Sequence, residues 1–116
     1  MIEQGYGRII SIASGYGVVG GPEGSAYAAS KGGLLAFTKS TAAEVFNQGV
    51  NVNCIAPGIT DTPLMRSIVT PSEIEAFVAR ASRPLGKPED VVGPFLFLIG
   101  ESAKTISGIT FWMKNP

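Results

Sequence analysis

Apolar side chains concentrate in three short, nearly unbroken runs, and the stretches between them carry helical signals. Arg8–Ala13 (RIISIA) is apolar or β-branched at almost every position, the signature of a strand buried on both faces in a parallel sheet. Residues Val50–Ala56 repeat the signal, and Ile109–Met113 give a weaker third run. The alanine- and leucine-rich segment from Ser25 predicts a helix of about 24 residues, with Ser25 as N-cap and Gly49 closing its carboxyl end. Strand, long helix, strand makes a βαβ unit. Past the second strand, PGITDTPLMRSIV reads as a loop with at most a short helix. Thr70-Pro71-Ser72-Glu73 then opens another helix, with threonine as N-cap, proline in the first turn and glutamate completing a capping box. That helix is expected to end near Ser82, ahead of Pro84. A last helix spans Pro88 to about Gly100, with a kink expected at Pro94.

Right-handed crossovers between parallel strands bring all the strand carboxyl ends to one edge of the sheet, where open α/β folds bind ligands. Ser14 ends the first strand, Pro57 and Gly58 end the second, and the first turns of the long helix begin on the same edge.

Composition narrows the chemistry. The chain has 116 residues, 45% of them hydrophobic, enough for one core and too few for two domains. Nine basic and nine acidic residues cancel without a run of like charge, which argues against a nucleic-acid partner. One cysteine, Cys54, leaves no intramolecular disulfide; set in an apolar run it reads as a buried thiol, and a reducing cytoplasm is the expected compartment. The apolar stretch VVGPFLFLIG is broken by Gly93 and Pro94 and too short to span a bilayer, so no membrane partner is expected, and no leader pattern is visible. There is no histidine. Acid–base work then falls to tyrosine, lysine or a carboxylate, Ser-His-Asp chemistry is excluded, and no metal site is expected.

Gly15-Tyr16-Gly17-Val18-Val19-Gly20 has the spacing of a dinucleotide-binding fingerprint. Such a fingerprint needs its helix to begin at the glycines and an acidic residue closing a second strand roughly 20 residues on. Here Gly21, Pro22 and Gly24 delay the expected helix to Ser25, and Glu44 falls inside that helix. The glycines are better read as a flexible wall between Ser14 and Tyr27.

Tyr27 and Lys31 stand four apart on the long helix, so their side chains share a face. An ammonium near a phenol favours phenolate and suits the tyrosine to general acid–base work. A tyrosine packed at the crevice beside a solvated surface lysine satisfies the same spacing. Ser14 offers a hydroxyl at the strand end, or simply caps the turn. Pro57-Gly58 with Thr60, Asp61 and Thr62 supplies a rigid turn with amides and hydroxyls on the same edge, or ordinary strand-to-loop punctuation.

Taken together, GRIISIAS, YAASK (Tyr27 to Lys31), VNVNCIAPG, TDTPL and RPLGKPEDV resemble the short-chain dehydrogenase/reductase family, in this order and over nearly the whole chain. The resemblance implies an α/β fold: the C-terminal part of a Rossmann-like, doubly wound parallel sheet, about three strands with flanking helices. It implies an oxidoreductase that moves hydride between NAD or NADP and a small-molecule alcohol or ketone. Tyr27 would exchange the proton, Lys31 would lower the tyrosine pKa and bind the nicotinamide ribose, and Ser14 would orient the substrate oxygen. Pro57 and Gly58, with the Thr60 backbone and the Thr62 hydroxyl, would hold the nicotinamide carboxamide, and Thr62 to Ser82, with Leu64, Met65, Ile68 and Phe77, would cover an apolar substrate pocket.

The resemblance begins in mid-domain, so residues 1–116 are expected to form a single partial domain without the family's glycine-rich phosphate loop. The family's closing Asp-Gly pair is replaced by Lys114-Asn115-Pro116. A homo-oligomer, or pairing with another chain of the family, is the expected association. The alternative function is a catalytically inactive interaction or oligomerisation module, for which the small residues Ala28, Ala29, Gly32 and Gly33 would supply a close-packing helix face.

Overall fold

In the computed structural model, which describes residues 1–81 and 84–113, three strands form one parallel sheet flanked by helices. The strands are β1 (Gly7–Ile12), β2 (Val50–Ala56) and β3 (Thr110–Trp112), in spatial order β1-β2-β3. The first pair runs from Gly7 opposite Val50 to Ile12 opposite Ile55; β3 joins at Cys54 opposite Thr110. Every residue of β2 is buried, as its composition predicts for a central parallel strand.

Alternation along β2 assigns its two faces. Val50, Val52, Cys54 and Ala56 point toward α2 (Ser25–Val45), where they meet Leu34, Leu35, Ala42 and Val45. The opposite face carries Asn51 and Asn53, which the apolar pattern does not explain. Asn51 Nδ2 donates to the carbonyls of Lys104 (3.0 Å) and Ile106 (2.8 Å), and its Oδ1 accepts from Arg8 of β1. Asn53 Nδ2 donates to Ile106 O at 2.9 Å and its Oδ1 accepts from Ile109 N at 3.2 Å. Both amides are buried and satisfied, and they fasten the segment that delivers β3. That segment follows α5 (Val92–Ile99), which packs on β1 and β2, so helices flank both faces.

Several local expectations are revised. Gly24, not Ser25, is the N-cap of α2, and the last turn tightens into a 3₁₀ turn over Phe46–Gln48 before Gly49, whose φ of 77° closes it. A five-residue helix, α1 (Gly15–Val19), does begin at the glycine fingerprint, with Ser14 as its N-cap. Some of the glycines around it are close-packing positions, while Gly20 has nothing near its would-be Cβ, and Gly15, Gly20 and Gly21 do form wall between Ser14 and Tyr27. A Cβ on Gly17 would lie 2.7 Å from the Lys31 carbonyl carbon, so glycine there lets α1 lie against α2, while Gly21 and Gly24 make room for the Tyr16 ring. Gly33, by contrast, has nothing near its would-be Cβ and takes no part in close packing within this chain.

The short helix expected after β2 is α3 (Pro63–Ile68), capped by Thr62, whose side chain accepts from Met65 N. α4 spans Pro71–Ala81 and shows the expected capping box: Thr70 N donates to Glu73 Oε2 at 2.8 Å, and Glu73 N to Thr70 Oγ1 at 3.4 Å. Its expected end at Ser82 lies outside the described residues, as do Arg83 and Lys114-Asn115-Pro116. Pro94 falls near the start of an α-helix and not inside one as expected. Residues Pro88–Val91 form a 3₁₀ turn and α5 starts at Val92, which puts Pro94 in a first turn, where the amide it lacks has no helical partner to lose. Among the described residues no helix is long and apolar enough to cross a membrane.

Candidate active site

The carboxyl ends of the strands open into a cleft of about 900 Å³. The chain reaches it along β1, continues through Ala13, whose N–H donates to Ile55 O at 2.8 Å, and turns at Ser14 into α1. Gly15 N donates to Pro57 O at 2.9 Å, pinning this turn to the one after β2. Ser14, Tyr27, Gly58, Thr60 and Thr62 all line the cleft. Ser14, Tyr27 and the Gly58–Thr62 turn, three parts of the chain 13 and 31 positions apart, therefore share one space. The apolar residues expected over the substrate, Leu64, Met65, Ile68 and Phe77, line it too, on α3 and α4.

Lys31 is placed differently from a solvated surface lysine. Its Nζ donates to the carbonyl of Ile12 at 3.1 Å, at the end of β1, and lies 5.8 Å from the centre of the Tyr27 ring. The strand end thus holds the cation next to the phenol. On its other side Tyr27 meets Tyr16 edge to face, ring centres 6.1 Å apart. Tyr27 itself is half exposed, as a group that meets a ligand from solvent must be.

Ser14 does perform the turn-capping role: its Oγ accepts from Tyr16 N at 3.2 Å. The same arrangement disposes of the phosphate fingerprint for a reason the sequence did not offer. The first amides of α1 are already used, by Pro57 O for Gly15, by Ser14 Oγ for Tyr16 and by Ser14 O for Gly17. A helix does start there, but these donors face protein acceptors.

Beyond β2 the backbone makes one further parallel bridge, Thr60 with Gly86. Asp61 N donates to Gly86 O and Gly86 N to Ile59 O, so the N–H and C=O of Thr60 itself are directed away from Gly86. Pro57, the remaining member of the expected set, ends β2 and contributes its carbonyl to the Gly15 contact. Asp61 turns out of the ligand question into a bidentate pair with Arg66 (Oδ2 to Nη2, 2.7 Å), and the guanidinium holds its carboxyl below the usual range. Burial pushes the Cys54 thiol up; fully enclosed, it is inert to the site.

Three residues of the cleft were not anticipated. Trp112 follows from the rule that located Ser14 and Pro57, since it ends β3; its indole nitrogen would be 3.4 Å from a Cβ on Gly15. Tyr16 enters because α1 forms. Arg80 lies one turn after Phe77 on α4, its guanidinium carbon 5.2 Å from the Phe77 ring centre. Among the described residues lining the cleft it is the one that carries charge.

With this geometry established, comparison with known proteins is informative. A family model described as Enoyl-(Acyl carrier protein) reductase matches residues 1–114. The 3-oxoacyl-[acyl-carrier-protein] reductase FabG of Rickettsia prowazekii is 41% identical over 118 residues, covering 99% of this chain and 48% of the relative. Nodulation protein G of Azospirillum brasilense is 37% identical over 110 residues, 95% of this chain and 45% of the relative. Among solved structures, a gluconate 5-dehydrogenase from Burkholderia cenocepacia in complex with NADP and tartrate superposes with a TM-score of 0.91 at 27% identity, covering 97% of this chain and 45% of that one. A putative NAD(P)-dependent gluconate 5-dehydrogenase from Beutenbergia cavernae with bound NADP gives 0.89 at 36% identity, covering 97% and 46%. The chain spans about half the length of the curated relatives it matches.

Proposed function

The chain belongs to the short-chain dehydrogenase/reductase family, and from that premise we propose that it carries the proton-transfer side of a nicotinamide-dependent alcohol dehydrogenase or ketone reductase. The observation that carries this reading is the meeting of Ser14, Tyr27, Gly58, Thr60 and Thr62 in one cleft, with Lys31 held beside Tyr27 by a strand-end carbonyl.

The residues present fit the nicotinamide end of NAD or NADP. The Thr60 main chain, directed away from Gly86, and the Thr62 hydroxyl offer the donors and acceptors a carboxamide needs, and the cleft beside them has room for a ring and a substrate. Bound there, the cofactor supplies or receives a hydride. In the direction of reduction, the Tyr27 hydroxyl gives its proton to the carbonyl oxygen as that oxygen becomes an alkoxide, and the Ser14 hydroxyl fixes the oxygen's position by donating to it. Lys31 keeps positive charge beside the Tyr27 ring as its oxygen turns anionic, and its ammonium would hold a ribose hydroxyl of the cofactor. The apolar wall of α3 and α4 keeps water from the reacting carbon.

The test is turnover. The full chain, and a chimera in which it replaces the matching half of the Rickettsia prowazekii relative, are assayed for ketone reduction by following NADH and NADPH absorbance. We expect the chimera to turn over and Tyr27→Phe to lower kcat by about 10²–10⁴, the usual worth of a positioned acid. Turnover that survives Tyr27→Phe removes Tyr27 as the proton donor.

A second reading, an interaction module that acts by association, is favoured by one feature: β1 is an edge strand of the sheet, and Val92 and Leu96 of α5 and Phe37 of α2 are exposed. Self-association, or pairing with a longer chain of the family, would cover both. Sedimentation velocity of the purified chain distinguishes the two readings together with the assay above: association without nicotinamide-dependent turnover in the chimera supports the module.

A further inference from the structure

We propose that Arg80 is a specificity-determining residue, and that the cleft takes a substrate with an apolar body and an anionic group, a carboxylate or a phosphate. This rests on the reading of the cleft as a substrate site. Around the opening the described wall is apolar or uncharged: Tyr16, Val19, Leu64, Met65, Ile68 and Trp112 face the space, and among the described lining residues there is no carboxylate. Arg80 alone among them carries charge.

Its surroundings keep it available. Among the described residues the carboxylate-bound arginine is Arg66, not Arg80; Arg80 instead lies over the Phe77 ring at 5.2 Å. That contact places the guanidinium beside the Phe77 ring of the cleft wall, and an Arg fork matches carboxylate and phosphate oxygens in pairs. Position adds to this. Arg80 stands in the last turn of α4, on the lid side, whereas Ser14 and Tyr27 lie on the sheet edge. A substrate whose carbonyl meets Ser14 and Tyr27 and whose apolar part lies along Met65, Ile68 and Phe77 brings its far end toward Arg80. A neutral substrate of the same length would gain only the apolar contacts.

The experiment reads binding, not turnover, so it is separable from the test of the function. Quenching of Trp112, the chain's one tryptophan, reports occupancy of the cleft. The probes are octanoate, octyl phosphate and octan-1-ol, equal in chain length. We expect at least one anion to bind about fivefold more tightly than octan-1-ol, corresponding to about 1 kcal/mol for a partly exposed ion pair. In Arg80→Gln that preference falls to about one, and Arg80→Lys keeps part of it. The tighter of the two anions identifies the group. Equal binding of all three probes by the unaltered chain, or a preference that persists in Arg80→Gln, overturns the assignment. A chimera that fails to reduce ketones while the Arg80-dependent preference stands would refute the catalytic reading and leave the anion site.

Discussion

Asn53→Leu should destabilise the chain by about 2 kcal/mol, although it replaces a buried polar residue with an apolar one of similar size. Asn53 is fully enclosed and makes two hydrogen bonds to the segment that leads into β3. Losing the donation to Ile106 O costs about 1 kcal/mol, the usual net worth of one such bond. That carbonyl keeps the Asn51 amide at 2.8 Å, so it is not stranded. Ile109 N is stranded, since Asn53 Oδ1 is its acceptor, and an unsatisfied donor costs about 1–3 kcal/mol. Extra apolar burial by leucine returns about 1 kcal/mol. The balance is near 2 kcal/mol, and with a urea slope of about 2 kcal/mol/M for a small chain the midpoint should fall by about 1 M at unchanged slope. The effect should reach the site: Ile109 O accepts from Cys54 N at 2.9 Å, the first contact that aligns β3, and Trp112 at its end lines the cleft. Tryptophan emission of the folded variant should therefore move to the red. A midpoint within about 0.2 M of the unaltered chain would refute the reasoning, because it would mean that these two bonds add nothing beyond what water or an apolar contact supplies.

Gly17, at the α1–α2 contact, and Gly33, away from it, should behave oppositely. Gly17→Ala forces a Cβ against the Lys31 and Gly32 backbone and should cost about 1–3 kcal/mol, whereas Gly33→Ala, in open space within a helix, should stabilise by about 0.5–1 kcal/mol, both read by urea midpoints. Glu73 accepts from the Thr70 hydroxyl and amide, which hold its carboxyl below the usual range. A lowered folded-state value means this contribution is present above the unfolded value and lost as pH falls through the folded one, so amide exchange in α4 should accelerate below about pH 4, less so in Glu73→Gln. Cys54, enclosed and with its thiol pushed up, should react with iodoacetamide only as fast as the chain unfolds, so added urea should raise alkylation in step with the unfolded fraction.

The strands and the capping box of α4 were legible because each depends on neighbours in sequence. β2 runs over Val50–Ala56 as its composition predicts, and Thr70 and Glu73 exchange the hydrogen bonds their spacing allows. The Tyr27–Lys31 pair was legible for the same reason, as two residues one turn apart. The parallel order also followed from strand–helix–strand connectivity, which fixed the edge where Ser14 and Gly58 meet.

Other features depended on distances that sequence does not carry. The helix at Gly15 forms against local propensity because Ser14 caps it, a local condition, and because Gly17 can approach α2, which concerns Lys31 and Gly32 on another element. Asn51 and Asn53 looked like interruptions of an apolar strand; their worth lies in backbone carbonyls and an amide some 53 to 56 positions away. Lys31 was expected to serve the phenol and a ribose, or only solvent, and the fold gives its ammonium a strand-end carbonyl. Trp112 was available from the strand-end rule and Arg80 lies in the segment expected to cover the pocket, but nothing local marked either side chain as facing the cleft, which is made of whatever separate elements turn toward a common space. What the sequence by itself determined was therefore the periodic elements and the chemistry one turn can hold, because backbone hydrogen bonding and side-chain alternation act over a few residues. Which glycine was needed, which buried amide was satisfied and which cation faced the cleft were decided by tertiary packing, because those energies depend on atoms brought within a few ångströms only when the sheet and its helices close together.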